Sequence, residues 1–206
     1  MDKFIYIKEN CISKYVCKEI IDKFENLEAD TYEGCTAGGY NPHVKKTIDF
    51  NLPIPGLKVY NTELYNDWCG ISKLLIGEIE KHIGIYIKNI NEWINENDDK
   101  LYSVFPHHEL NIESLLFHKY FANQGSFEYH SDNAIKYKEG LHRTVTYLFY
   151  LNDIDVGGET EIMKTIKIKP EAGKLLLFPA CWTYPHKGCM PISNNKYIIT
   201  GWIYIK

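Results

Sequence analysis

The chain has 206 residues, of which 45% are hydrophobic and 24% charged, and its formal net charge is −4. This length and composition are typical of an ordinary globular protein, and we expect a single domain spanning residues 1–206. A mildly acidic chain without blocks of Lys and Arg argues against nucleic acid or an anionic membrane as the main partner.

The start of the chain and its cysteines indicate an intracellular protein. The opening sequence MDKFIYIKEN alternates charged and apolar residues and has no signal-peptide hydrophobic region. No apolar run of roughly 18 residues follows, so we expect a cytoplasmic protein without a membrane segment. The six cysteines form no C-x-x-C pair. This argues against a zinc ribbon or a redox motif, and we expect reduced thiols.

The N-terminal half predicts a short strand, two helices and a long loop. Residues 4–7 form the strand, and Ser13 caps a first helix whose apolar face contains Tyr15, Val16, Ile20, Ile21 and Phe24. Residues 30–57 are rich in Gly and Pro, which predicts a long loop that is mobile or lies over a site, or that is a plain connection. Thr62 caps a second helix whose core-packing stripe contains Leu64, Trp68, Ile71, Leu74, Leu75, Ile79 and Ile83.

The adjacent pair His107 and His108 follows a polar run. Neighbouring side chains point apart on a helix or a strand, so we interpret the pair as loop histidines rather than as a two-ligand site.

From Ile112 onward the pattern is one of short strands separated by turns. The predicted strands span residues 112–121, 127–130, 143–151, 159–162, 165–168, 174–178, 185–187 and 196–205. This succession favours a double-sheet jelly roll. We therefore predict an α+β, mainly β fold, with a double-stranded β-helix (jelly-roll) catalytic core in residues 112–206 and supporting helices in residues 1–111.

The motif FEYHSD (127–132) indicates a metal site. In an extended segment, His130 and Asp132 leave the same face and can bind one ion, and His186 supplies a third ligand from another strand. Two imidazoles and one carboxylate leave open positions on an octahedral ion, as non-haem Fe(II) oxygenases require. His-x-Asp is also common by chance. Zinc would favour a closed tetrahedral set, and no fourth ligand is evident.

Alternation along two strands adds to this hypothesis. In residues 143–151, Thr146, Leu148 and Tyr150 share one face, and both faces are partly apolar, which predicts that the strand is covered on each side. Lys196 begins a row that continues with apolar residues. A lysine inside a barrel needs an anion, such as a co-substrate carboxylate. The alternative is that Lys196 extends from the strand end to water.

Residues 120–202 resemble the 2-oxoglutarate- and Fe(II)-dependent dioxygenases of the prolyl 4-hydroxylase type. The matching pieces are Tyr120, Gly125, YHSD (129–132), RTVTYLFYLND (143–153), GGET (157–160), IKP (168–170), GKLLLFP (173–179), HKG (186–188), Pro191, KYI (196–198) and Trp202. Their order and spacing agree over roughly the last 90 residues, which is more specific than the metal motif alone.

The resemblance implies a role for each matching residue. His130, Asp132 and His186 fall on the iron ligands, and Lys196 falls on the basic residue that pairs with the distal carboxylate of 2-oxoglutarate. Tyr150 falls on a tyrosine that assists this pairing by hydrogen bonding, and Tyr120 falls on a tyrosine that reaches the co-substrate from the opposite side in some members. Other matching positions line the pocket, namely Thr146, Leu148 and Thr200, with Trp202 as its floor. Arg143 matches an arginine near the substrate entrance in some members, or is a solvated strand-end charge.

The implied reaction is hydroxylation of an unactivated C–H bond with release of succinate and CO2. The implied cofactors are Fe(II) and 2-oxoglutarate, with ascorbate left open as a third, and O2 is consumed. The resemblance indicates a prolyl residue of a peptide or protein as the substrate, with no nucleic-acid or membrane partner. The open alternatives are a free amino acid or other small molecule and, from a different class, a non-catalytic metal-binding jelly-roll module. The sequence does not indicate the oligomeric state.

Overall fold

The computed structural model describes residues 2–27, 30–55, 62–96, 103, 110–136 and 140–205. The histidine pair His107 and His108 lies outside these residues, so its interpretation stays a prediction. Two helices and 16 strands are described. All strand pairs within the sheets are antiparallel.

Helix α1 (Lys14–Glu25) begins where the sequence predicts it. The Ser13 side chain accepts a hydrogen bond from the Val16 amide at 3.2 Å, which satisfies one of the free N–H groups of the first turn. Its buried residues are Cys17, Ile20 and Phe24. The prediction that Tyr15 belongs to this face is wrong, because Tyr15 is 71% exposed. It lies on the opposite side of the helix from these buried residues, which are spaced three and four positions apart.

Helix α2 (Thr62–Ile94) is 33 residues long and extends beyond the predicted stripe. Trp68, Leu75, Ile79 and Ile83 are buried as predicted, and the same spacing continues through Tyr86 and Ile90. Leu74, which the sequence places in the stripe, is 40% exposed. Among the described residues, neither helix has an apolar stretch of the length that crossing a bilayer requires.

The strands are short in the first half of the chain and longer in the second. In chain order they are β1 (Tyr6–Lys8), β2 (Tyr32–Glu33), β3 (Cys35–Thr36), β4 (Gly39–Tyr40), β5 (Lys45–Lys46), β6 (Ile48–Asn51), β7 (Leu110–Ile112), β8 (Leu116–Tyr120), β9 (Ser126–His130), β10 (Ile135–Lys136), β11 (Leu141–Tyr150), β12 (Thr160–Ile162), β13 (Ile166–Ile168), β14 (Leu175–Pro179), β15 (His186–Gly188) and β16 (Lys196–Ile205).

Two sheets form the jelly roll. The larger has the order β1-β14-β11-β16-β8-β6-β2, with β10 paired to β11 and β7 paired to β16. The smaller has the order β13-β12-β15-β9-β5, and β3 and β4 form a separate hairpin. The jelly-roll prediction is therefore confirmed.

The larger sheet separates two apolar cores. Val145, Tyr147 and Phe149 of β11 pack with residues of α1 and α2 in the first core. Leu148 and Tyr150, on the other face of β11, belong to the second core, which includes Ile162 of the smaller sheet. Because successive side chains of a strand point to opposite faces, β11 is covered on both sides, as its sequence predicts.

The described part of the segment 30–57, residues 30–55, is not a plain loop. It contains β2 to β6, of which β2 and β6 extend the larger sheet and β5 pairs with β9 of the smaller sheet. These strands are mostly two residues long, too short to leave a periodic pattern in the sequence. The expectation that part of this segment lies at a site agrees with the structure, since several of its residues line the cavity described below.

Candidate active site

His130, Asp132 and His186 lie together where β9 and β15 pair. His130 ends β9 and His186 begins β15, and the two are direct partners across this antiparallel pair. Asp132 follows β9 by two residues, and its oxygens lie 3.6 Å from His130 Nε2 and 3.4 Å from His186 Nε2. One ligand atom from each residue lies within 4.8 Å of the other two. A single ion can therefore contact all three side chains.

Hydrogen bonds orient each of these side chains. His130 Nδ1 lies 2.7 Å from the Glu128 carbonyl oxygen, and His186 Nδ1 lies 3.2 Å from the Tyr184 carbonyl oxygen. A carbonyl accepts only from N–H, so both Nδ1 atoms carry the proton and both Nε2 atoms present a lone pair. The Thr146 hydroxyl donates to Asp132 Oδ2 at 2.8 Å. Two nitrogen lone pairs and a held carboxylate fit Fe(II) as a donor set.

Electrostatics keep His130 and Asp132 in the protonation state that a metal requires. Burial, together with the neighbouring His186, lowers the pKa of His130 to about 4, so this imidazole is neutral near pH 7. Burial alone would raise the pKa of Asp132, but His186 and His130 beside it lower that pKa. A neutral imidazole and an ionised carboxylate are the forms that bind a metal ion.

A cavity of about 600 Å³ adjoins the three side chains and has Lys196 on its wall. Lys196 is only 1% exposed, its Nζ donates to the Gly158 carbonyl at 2.9 Å, and it lies 4.1 Å from the centre of the Tyr120 ring. Among the described residues, no carboxylate forms an ion pair with Lys196. Burial lowers the pKa of Lys196 to about 8. The alternative in which this lysine extends to water is therefore wrong.

Tyr120 and Tyr150, both predicted to contact the co-substrate, take different positions. Tyr120 is the cross-strand partner of Lys196 and lines the cavity. Tyr150 is fully buried, and its hydroxyl donates to Thr160 Oγ1 at 2.7 Å. Thr160 itself lines the cavity. The structure thus connects Tyr150 to the cavity through Thr160, a residue of the GGET motif for which no pocket role was predicted from the sequence.

The other predicted pocket residues form two cross-strand pairs on β11 and β16. Thr146 lies opposite Trp202, and Leu148 lies opposite Thr200, and all four line the cavity. The Arg143 guanidinium lies 3.6 Å from the centre of the Trp202 ring and pairs with Glu113 at 2.9 Å. Arg143 also lines the cavity, so the alternative of a solvated strand-end charge is wrong.

A second polar cluster in the cavity wall was missed from the sequence. Asp49 Oδ2 lies 2.6 Å from Lys45 Nζ, and Asp49 Oδ1 lies 2.6 Å from both Thr47 Oγ1 and His118 Nδ1. Burial would raise the pKa of Asp49, but His118 and Lys45 lower it to about 2. Part of this cluster could have been predicted, because Lys45, Thr47 and Asp49 occupy alternate positions, which share one face of a strand.

Comparisons with known proteins agree with this architecture. Residues 115–204 match the family described as the 2OG-Fe(II) oxygenase superfamily. A search of curated proteins finds no match. A viral collagen prolyl hydroxylase from Paramecium Bursaria Chlorella virus-1, solved as a 2OG complex, is a similar structure, with a TM-score of 0.58 and 17% identity over 98% of this chain and 96% of that one.

Two further solved structures share the fold. A Trichoplax adhaerens prolyl hydroxylase, in complex with a hypoxia inducible factor peptide fragment, has a TM-score of 0.66 and 20% identity over 98% of this chain and 84% of that one. A Pseudomonas putida prolyl-4-hydroxylase has a TM-score of 0.59 and 13% identity over 97% and 91%. The family match implies Fe(II) and 2-oxoglutarate as cofactors. Residues 115–204 thus resemble the 2OG-Fe(II) oxygenase superfamily, as the sequence predicts, and the chain shares its fold with these prolyl hydroxylase structures.

Proposed function

We propose that this protein is a 2-oxoglutarate- and Fe(II)-dependent dioxygenase that hydroxylates a prolyl residue of a peptide or protein. The observation that supports the reaction most directly is the convergence of His130, Asp132 and His186 on one edge of a cavity that also holds the buried ammonium of Lys196. The first three supply the ligand set of an Fe(II) oxygenase, and the fourth supplies a cation for the co-substrate.

The roles of the chain's own groups follow from their positions. His130, Asp132 and His186 hold Fe(II), which when bound supplies the chemistry that couples oxidative decarboxylation of 2-oxoglutarate to C–H hydroxylation. Lys196 donates to the distal carboxylate of the co-substrate. Thr146 fixes the Asp132 carboxylate through its hydroxyl. Tyr120, Leu148, Thr200 and Trp202 line the pocket, and Tyr150 holds Thr160 in place through their hydrogen bond. Ascorbate would act as a reductant of the iron, and we assign no residues to its binding.

The choice of a polypeptide substrate rests on the cavity walls. Tyr32 of β2 and Lys45 of β5 line the cavity, and each of these strands ends its sheet among the described strands. The free backbone groups of an edge strand can pair with an extended peptide. The Trichoplax adhaerens structure was solved with a bound peptide fragment, and the viral structure is described as a collagen prolyl hydroxylase. Both support a peptidyl proline here.

The test is anaerobic reconstitution with Fe(II) and 2-oxoglutarate, followed by air and a succinate assay. We expect the visible charge-transfer band of the chelated co-substrate, and succinate release that proline-containing peptides stimulate with matching hydroxyproline formation. Free proline serves as the comparison substrate. Stimulation by free proline but not by peptides would replace the peptide substrate with an amino acid.

Asp132→Ala is the matched control, because it removes one ligand and leaves the cavity open. We expect no band and no succinate above background from this variant, with an unchanged circular dichroism spectrum. If the wild-type protein gave no band when loaded with Fe(II), the oxygenase proposal would fail and the non-catalytic module would replace it.

A further inference from the structure

A second group of metal-ligating side chains lies outside the candidate active site, between the turn after β1 and helix α2. Ligand atoms of Cys11, Glu78 and His82 lie within 4.8 Å of one another. Glu78 and His82 are four residues apart on α2, so their side chains project from the same face of the helix. Cys11 is held from the other side, because its backbone amide donates to the Gly173 carbonyl at 2.7 Å.

His82 is a buried imidazole with one nitrogen aimed at the cluster. The residue is 2% exposed, and its Nδ1 lies 2.8 Å from the Tyr6 hydroxyl. Nε2 is buried and makes no hydrogen bond with any described residue, although it lies 3.4 Å from Glu78 Oε2. Burial lowers the pKa of His82, so the ring is neutral near pH 7. When Nδ1–H donates to the Tyr6 oxygen, Nε2 presents a lone pair to Cys11 and Glu78.

The distances from Glu78 Oε2 to the other two ligand atoms fit a tetrahedral ion. Cys11 Sγ lies 3.6 Å and His82 Nε2 lies 3.4 Å from Glu78 Oε2. Bonds of roughly 2.0–2.3 Å at tetrahedral angles place neighbouring ligands roughly 3.3–3.8 Å apart. The exposed Lys81 ammonium, 3.5 Å from the same carboxylate oxygen, is the one described cation that competes for it.

We propose that Cys11, Glu78 and His82 form a binding site for Zn²⁺ or a similar divalent cation, which ties the turn before α1 to helix α2. Thiolate, carboxylate and imidazole are all zinc ligands, and water completes the fourth position. Without the ion, burial and the Glu78 carboxylate raise the pKa of Cys11 to about 12, so the thiol is protonated. Formation of the sulfur–metal bond therefore releases one proton to solvent.

The site is separable from the active site by spectroscopy. Co²⁺ bound to a thiolate gives a near-ultraviolet charge-transfer band, which His130, Asp132 and His186 cannot produce. Chelator-treated Asp132→Ala protein is titrated anaerobically with Co²⁺, and we expect this band to saturate at one equivalent and to disappear when Zn²⁺ is added. No such band in the folded protein would overturn the proposal, whatever the outcome for the oxygenase activity.

Variants of the ligands and one matched cysteine control complete the test. In the Asp132→Ala background, Cys11→Ser should abolish the band, and His82→Gln or Glu78→Gln should weaken Co²⁺ binding at least tenfold. Cys181→Ser changes a thiol that forms a hydrogen bond with Thr183, outside the proposed site, and the band should persist. Zn²⁺ should raise the melting temperature of the Asp132→Ala protein but not that of the Cys11→Ser version. A band that survives Cys11→Ser, or three ligand variants that bind Co²⁺ like the parent, would refute the assignment.

Discussion

Replacing Lys196 by Met tests the proposed co-substrate site most directly. The substitution keeps the length and apolar part of a side chain that is 1% exposed, and it removes the ammonium. A charge-assisted hydrogen bond contributes about 1.5–3 kcal/mol. Since about 1.4 kcal/mol is a factor of ten, we expect the Kd for 2-oxoglutarate to rise by about 10- to 150-fold. The Kd for Fe(II) should change little, because Lys196 contacts none of the three proposed ligands.

The pH dependence of binding gives a second readout of the same contact. Burial lowers the pKa of Lys196 to about 8, below the ordinary value of 10.5. The ammonium is therefore present below pH 8, and the neutral amine predominates above it. If only the protonated form binds the carboxylate, the wild-type Kd should be constant between pH 6 and 7 and about tenfold higher at pH 9. Lys196→Arg should flatten this profile, since guanidinium stays charged throughout.

The assay is anaerobic calorimetric titration of Fe(II)-loaded protein with 2-oxoglutarate at each pH. Thermal melts of Lys196→Met and Lys196→Arg show whether the variants are folded. A folded Lys196→Met protein with the wild-type Kd would refute the role of Lys196. A wild-type profile that is flat from pH 6 to 9 would refute the reasoning from its burial.

Three further predictions concern the metal ligands, the Asp49 cluster and the packing of two glycines. Thr146→Val removes the hydrogen bond to Asp132 and should weaken Fe(II) binding about 10- to 100-fold in metal titrations, whereas Thr144→Val, whose hydroxyl bonds to the His142 carbonyl, should not. Asp49→Asn leaves Lys45 buried without its carboxylate and should lower the free energy of unfolding at pH 7 by about 3–5 kcal/mol in urea titrations. The pKa of Asp49 is about 2 in the folded protein against an ordinary 3.8, so its ionised carboxylate stabilises the fold above pH 4 and this stabilisation is lost toward pH 2. The difference in free energy of unfolding between wild type and Asp49→Asn should therefore shrink by about 2 kcal/mol from pH 4 to pH 2. Gly201→Ala places a Cβ against the Ser114 carbonyl and the Tyr147 ring and should destabilise the fold by about 1–3 kcal/mol. Gly77→Ala, in open space on α2, should stabilise the fold by about 0.5–1 kcal/mol. Similar melting temperatures for the two variants would contradict the packing argument.

The longer strands were predictable because they are covered on both faces. In β11 the alternation of Thr146, Leu148 and Tyr150 with Val145 and Phe149 is visible in the sequence, and the structure assigns the two sets to opposite faces of one sheet. A strand of this length shows a period of two over several repeats. The same period of two places Lys196 in the row of β16 that continues with apolar residues, so a buried position for Lys196 could be predicted from the sequence.

The polar cluster of Lys45, Asp49 and His118 was not predictable in the same way. Strands β2 to β5 contain two residues each. Their pairing depends on the strands beside them rather than on their own pattern, since β2 pairs with β6, β3 with β4 and β5 with β9. His118 is 69 residues from Asp49 in the chain. Contact between them depends on the register of β6 with β8, which places Asp49 directly opposite His118. The sequence of either strand alone does not predict this register.

The two cores explain why the site tolerates so many buried charges. The helix-side core is apolar and fixes β11 and β16, so their inner faces form a rigid wall. On that wall, Lys196 makes no ion pair with a carboxylate among the described residues. Just beyond β9 of the smaller sheet, the Asp132 oxygens lie 3.6 Å from His130 Nε2 and 3.4 Å from His186 Nε2. Buried ions without complete partners destabilise a fold. A cation at Asp132 and an anion at Lys196 would each supply one missing partner, so binding of both should stabilise the folded protein.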